Sequence, residues 1–119
     1  MSKVEGVLER GEAMKEEILW VTTIQTAALA TGQMIGVKIA GHEIAIYNVD
    51  GEYFATDDVC THAFALLHEG YLNGDVIECP LHGGCFSVRT GEGLGAPIIR
   101  NLKTYATRVV GDEVQIALS

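Results

Sequence analysis

The sequence predicts an all-β domain, and three observations carry that prediction. From Ile18 onward, short apolar segments alternate with turn dipeptides and not with long amphipathic helices. The breaks have the chemistry that tight hairpins need at positive φ: Ala40-Gly41-His42, Asp50-Gly51, Asn73-Gly74-Asp75 and Gly111-Asp112. The chain has 119 residues, room for one domain around one core, since domains typically hold ~100 to 150 residues. Apolar residues make up 48% and charged residues 20%, a balance that favours folding over disorder.

Taken in order, residues 1–17 are charge-dense, with three basic and five acidic side chains, and lack an apolar period strong enough to demand burial. They read as an N-terminal extension ahead of a domain over 18–119. Strands are predicted over 18–22, 33–40, 43–49, 52–56, 75–79, 85–88, 102–109 and 113–118, and the short turns between them make neighbours antiparallel. Between Thr56 and Gly95 the strand signal thins, and this stretch holds all three cysteines, Cys60, Cys79 and Cys85. A loop-rich subdomain over about 57–97, held by something other than a large core, is therefore expected. Trp20, Tyr47, Tyr53, Phe54, Tyr71 and Tyr105 are expected to fill the core.

Charge and composition exclude several functions. Sixteen acidic residues against eight basic ones give a net charge of -8, the wrong sign for gripping phosphates, so no nucleic-acid partner is expected. No apolar run approaches the ~20 residues of a membrane helix, and the five glutamates of the first seventeen residues do not suit a secretory signal. A soluble, cytoplasmic protein without a membrane partner is expected. An odd number of cysteines without an export signal argues against a disulfide framework and for metal or redox chemistry.

That chemistry has an address. Cys60-Thr61-His62 and Cys79-Pro80-Leu81-His82 form a Cys-x-His and a Cys-x-x-His separated by sixteen residues, so two loops each present one thiol and one imidazole. Any one of these residues alone is more often a small buried hydrophobe or a satisfied histidine; two such pairs in one small segment are not explained that way. The set suits zinc or an iron-sulfur centre. Structural zinc sites usually keep like ligands together, whereas each loop here alternates Cys then His, an order that suits a cluster with both cysteines on one iron and both histidines on the other.

The segments CTHAFALLHEGYLNGDVIECPLHGGCF and RTGEGLGAPIIRNLKTY, preceded by NVDGEYFATDD, resemble a Rieske-type 2Fe-2S ferredoxin, in particular the ferredoxin component of bacterial aromatic-ring-hydroxylating dioxygenase systems. The resemblance runs from about Trp20 to Leu118. It implies a Rieske fold of stacked antiparallel sheets with a small cluster-binding subdomain, one Rieske-type 2Fe-2S cluster bound by Cys60, Cys79, His62 and His82, and Pro97 in a loop beside it. It also implies a one-electron carrier, not itself an enzyme, whose partners are a ferredoxin reductase and a terminal oxygenase. Two rivals stand beside it: a Rieske subunit built permanently into a larger oxidoreductase, and a zinc-stabilised binding module.

The chain departs from the family at Ala63-Phe64, where a Gly-Asp pair is usual, and at Cys85, where a basic residue is common. High-potential relatives carry an extra disulfide and cluster-facing hydroxyls; Ala65, Leu81, Gly84 and Phe86 stand at the corresponding positions and supply neither, so a low potential is expected, one that Gly84→Ser should raise if its hydroxyl reaches a sulfide. His42 and His68 are expected at the surface or in turns, Cys85 as a buried and inert thiol, and Asp57 and Asp58 as loop residues. Phe64 is either a core residue or part of an exposed docking face.

Overall fold

The computed structural model describes residues 18–118; the expected N-terminal extension lies outside them. Among these residues, ten strands form three antiparallel sheets. β1 (Trp20–Gln25) pairs with β10 (Glu113–Ala117), which pairs in turn with β9 (Thr107–Val110). The second sheet runs β2-β3-β4-β8, made from Met34–Ile39, His42–Val49, Glu52–Asp57 and Thr104–Tyr105. A small third sheet joins β5 (Tyr71–Asn73), β6 (Val76–Glu78) and β7 (Cys85–Ser87).

β3 explains how the layers hold together. Side chains alternate across a strand, yet every residue from Ile44 to Val49 is buried, so both of its faces are covered. Ile44 and Ile46 pack with Val114 and Ile116 of β10. Ala45, Tyr47 and Val49 pack with Leu67, Ile77, Phe86, Cys60 and Cys79. One strand thus serves two apolar clusters, which is why it reads as a near-continuous apolar run. The β2–β3 and β3–β4 hairpins turn at Ala40-Gly41 and Asp50-Gly51, where both residues of each pair have positive φ, between 51° and 89°; that is the twist a two-residue hairpin requires.

The all-β prediction holds, with four local corrections. The strand predicted over 102–109 is two strands in different sheets: Tyr105 pairs with Ala55 of β4, while Thr107 pairs with Ile116 of β10. The chain changes sheet at Ala106, whose carbonyl accepts from Ala117 N–H at 3.0 Å, a corner of the kind that joins packed sheets. β5 is a strand the sequence did not predict, because its three residues sit between polar and glycine-containing turns. Tyr71, expected in the core, is 64% exposed on β5, and Trp20 is only half-buried, its ring under the Arg108 guanidinium at 4.2 Å.

Candidate metal centre

Three loops converge at one end of the β5-β6-β7 sheet. The first leaves β4 and is pinched at its neck: Val59 bridges Leu66, Cys60 N–H donates to Ala65 O at 3.0 Å, and Leu67 N–H donates to Asp58 O at 2.7 Å. Residues 61–64 form its tip. The second connects β6 to β7 and closes with Cys79 N–H donating to Gly84 O at 2.7 Å. To reverse within so few residues it takes His82 and Gly83 through the left-handed region, at φ 69° and 71°; a non-glycine residue there is uncommon and worth a functional explanation.

A third loop, between β7 and β8, leans over the other two. Ile98 packs so closely on Gly84 that a β-carbon there would lie 2.4 Å from Ile98 Cδ1 and 3.0 Å from His62 Cε1. A serine at Gly84 therefore displaces Ile98 before its hydroxyl can act, and Gly84→Ser does not cleanly test redox tuning. The first and third loops are clasped reciprocally: Thr61 Oγ1 donates to Arg100 O at 3.1 Å, and the Arg100 guanidinium donates to Thr61 O at 3.0 Å.

The ligand atoms of Cys60, His62 and Cys79 all lie within 4.8 Å of one another. Cys60 Sγ is 2.8 Å from His62 Nδ1, both cysteines are buried, and His62 Nε2 is buried without a hydrogen-bond partner. It is the other ring nitrogen, Nδ1, that lies beside the thiols, and an imidazole nitrogen grouped with two thiols fits a site made for a soft or borderline metal. Burial pushes the Cys79 thiol upward, with Leu81 N–H, 3.4 Å from Sγ, working the other way; a bound cation reverses that balance and holds the thiolate. His82 is exposed at the same mouth, its ring centroid 5.8 Å from that of His62, but it falls outside the tight group of three.

Other candidates are placed differently from expectation. Cys85 is partly buried, not fully, and its Sγ donates to Gly83 O at 3.5 Å. His42 is exposed at the start of β3, as expected. Asp57 accepts from Tyr105 OH at 2.6 Å. Asp58 is 1% exposed and bonded to His68, so neither is the plain loop or surface residue the sequence suggests. Phe64 is fully exposed, at 101%, which removes the core reading. It borders a groove of about 390 Å³ lined also by Val59, Cys60, His62 and Arg100. Among the described residues, no helix is long and apolar enough to cross a membrane.

The Rieske [2Fe-2S] domain family model matches residues 19–106. The naphthalene 1,2-dioxygenase system ferredoxin component of Pseudomonas aeruginosa is 44% identical over 100 residues, covering 84% of this chain and 96% of that protein. The solved ferredoxin of Sphingomonas yanoikuyae B1 superposes with a TM-score of 0.79 at 38% identity, over 83% of this chain and 98% of that one. A chain in the complex of reduced oxygenase and oxidized ferredoxin in carbazole 1,9a-dioxygenase does so with the same TM-score and identity, over 82% and 92%. The chain belongs to the Rieske [2Fe-2S] domain family. Within it, the chain is a ferredoxin: an electron carrier with one Rieske-type cluster, and not a catalyst in its own right.

Proposed function

We propose that Cys60 and Cys79 hold one iron and His62 and His82 the other, and that the chain carries single electrons in the cytoplasm from a reductase to the terminal oxygenase of an aromatic-ring-hydroxylating system. The supporting observation is the convergence of two thiols and an imidazole from two separate loops within 4.8 Å, with a second imidazole at the same mouth. The cluster-binding unit in this reading is about 57–97. The relatives named as dioxygenase-system ferredoxin components are matched over nearly their whole length, which supports a separate carrier over a subunit fixed in a larger enzyme.

When bound, the cluster accepts and releases one electron. This chain's residues set how easily: two thiolates and two neutral imidazoles leave the oxidised centre uncharged, so reduction costs less than at a four-cysteine cluster. Leu81 N–H toward Cys79 Sγ is the protein's own contribution to holding negative charge on sulfur. Gly84 and Phe86 bring no hydroxyl. The midpoint potential is expected near the lower limit of about -150 mV for such centres, with little pH dependence around neutrality. Film voltammetry giving a clearly positive potential sinks this expectation.

The electron is expected to leave on the His82 side of the site, where the imidazole is exposed beside the half-buried His62. Apolar residues of the site's loops include Phe64, fully exposed, Leu81, exposed by 43%, and the exposed Pro97, an apolar face of the sort partners recognise. From Ile18 to Ser119 there are five basic and eleven acidic residues, a net -6, so steering toward a basic partner surface is expected to weaken with salt. Phe64→Ala removes contact area from that face alone: the visible spectrum and melting temperature stay unchanged while electron transfer to the oxygenase slows. Stopped-flow reduction of the oxygenase beside a thermal melt tests the whole reading. A wild-type rate removes Phe64 from the docking face, and a colourless, iron-free protein with stoichiometric zinc overturns the electron-carrier function.

A further inference from the structure

Ten residues apart in sequence, Asp58 and His68 close a contact that nothing in the cluster chemistry requires. Asp58 is 1% exposed, and a carboxylate so buried must be met by donors. Both donors come from His68: its backbone N–H reaches Oδ1 at 2.8 Å, and its ring Nδ1 lies 2.6 Å from Oδ2. The Asp58 backbone is equally committed, its N–H donating to Glu43 O at 2.9 Å and its carbonyl accepting from Leu67 N–H at 2.7 Å. One residue therefore ties β3, the short 3-10 turn Leu67–Glu69 and the entrance of the first ligand loop into a single joint.

A third element has made room for that joint. A β-carbon on Gly36, in β2, would lie 2.4 Å from His68 Nδ1 and 2.9 Å from Asp58 Oδ2, closer than real contacts allow, although Gly36 is flanked by strand residues and has no positive φ to demand glycine. Its missing side chain is accounted for by the space the His68 ring occupies. The loop clamped in this way is the one that carries Cys60 and His62, and its neck of paired backbone atoms begins at Asp58 itself.

We infer that Asp58, His68 and Gly36 form a positioning latch that fixes where the first loop presents Cys60 and His62, and so governs how tightly this chain keeps its iron. The inference rests on the proposal that these two residues are ligands. Groups that orient metal ligands are typically worth ~10- to 100-fold in metal affinity or activity, and the latch is expected at the lower part of that range.

The test uses the full-length holoprotein and four variants: His68→Ala, His68→Asn, Gly36→Ala and, as the control for the ligand proposal, Cys60→Ala. Iron transfer to an excess of chelator is timed for each at the same interval below its own melting temperature, and the reduced-state EPR spectrum is recorded. His68→Ala should release iron ~10-fold faster and alter the EPR line shape. His68→Asn, whose amide nitrogen falls where Nδ1 does, should restore both. Gly36→Ala, which keeps every latch atom but forces the ring aside, should resemble His68→Ala. Wild-type release and line shape in His68→Ala overturn the latch, as does equal acceleration in His68→Ala and His68→Asn, which would assign the effect to lost ring packing. If His68→Ala does not fold, Gly36→Ala decides: a wild-type rate and spectrum there overturn the proposal. A Cys60→Ala protein that keeps the cluster overturns the ligand assignment itself, which separates that failure from failure of the latch.

Discussion

Cys60→Ala, His62→Ala, Cys79→Ala and His82→Ala are each expected to yield protein with almost no iron and no Rieske spectrum, while Cys85→Ala keeps both. For Cys60, His62 and Cys79 the asymmetry follows from their grouping, and for His82 from its place beside His62 at the same mouth. Cys60 and Cys79 are buried with their ligand atoms within 4.8 Å of each other and of His62, whereas Cys85 turns its thiol to the Gly83 carbonyl. Metal binding and folding are linked where a metal joins separate loops, so the iron-free variants should also melt earlier. Iron assay and visible absorption on purified variants check this; loss of iron from Cys85→Ala, or a normal spectrum from any of the four, refutes the assignment.

Phe86→Ala is expected to be the most destabilising single truncation near the site. Phe86 is fully buried in β7, opposite Ile77, and shares its apolar cluster with Cys60 and Cys79. Removing a buried phenylalanine side chain typically costs ~3 to 5 kcal/mol, because the transfer free energy is lost and a cavity remains. In a domain of this size that corresponds to a fall in melting temperature of more than about 10 °C. Differential scanning calorimetry on the holoprotein measures it, and a fall of only a few degrees would mean that the cluster and its loops, not the apolar packing, hold this lobe.

The sequence disclosed the site more readily than the scaffold around it. Both Cys/His pairs could be seen because each is local: the residues of a pair are separated by one or two positions, and no knowledge of the fold is needed to put them on one loop. Strand positions were legible for a similar reason, since Asp50-Gly51 and Ala40-Gly41 announce their hairpins. The change of sheet at Ala106 was not, because Lys103 to Val110 contains no glycine or proline and reads as one extended segment; what divides it is the choice between β4 and β10 as partner, a tertiary matter. Tyr71 misled because an aromatic residue contributes to cores so often, while its actual position is an edge of a three-residue strand. Asp58 with His68 had no local signature at all. Their pairing needs Gly36 from another strand, and only the assembled structure brings these three positions together.

The double duty of β3 has an evolutionary corollary. Its odd- and even-numbered side chains face different neighbours, so the two parities answer to separate packing constraints within one segment. A change at Ile44 or Ile46 is judged by the β1-β10-β9 layer, and a change at Ala45 or Tyr47 by the lobe that carries the ligands. Drift in the scaffold and adaptation of the redox lobe can then proceed on alternate residues of a single strand, each without forcing a matching change in the other.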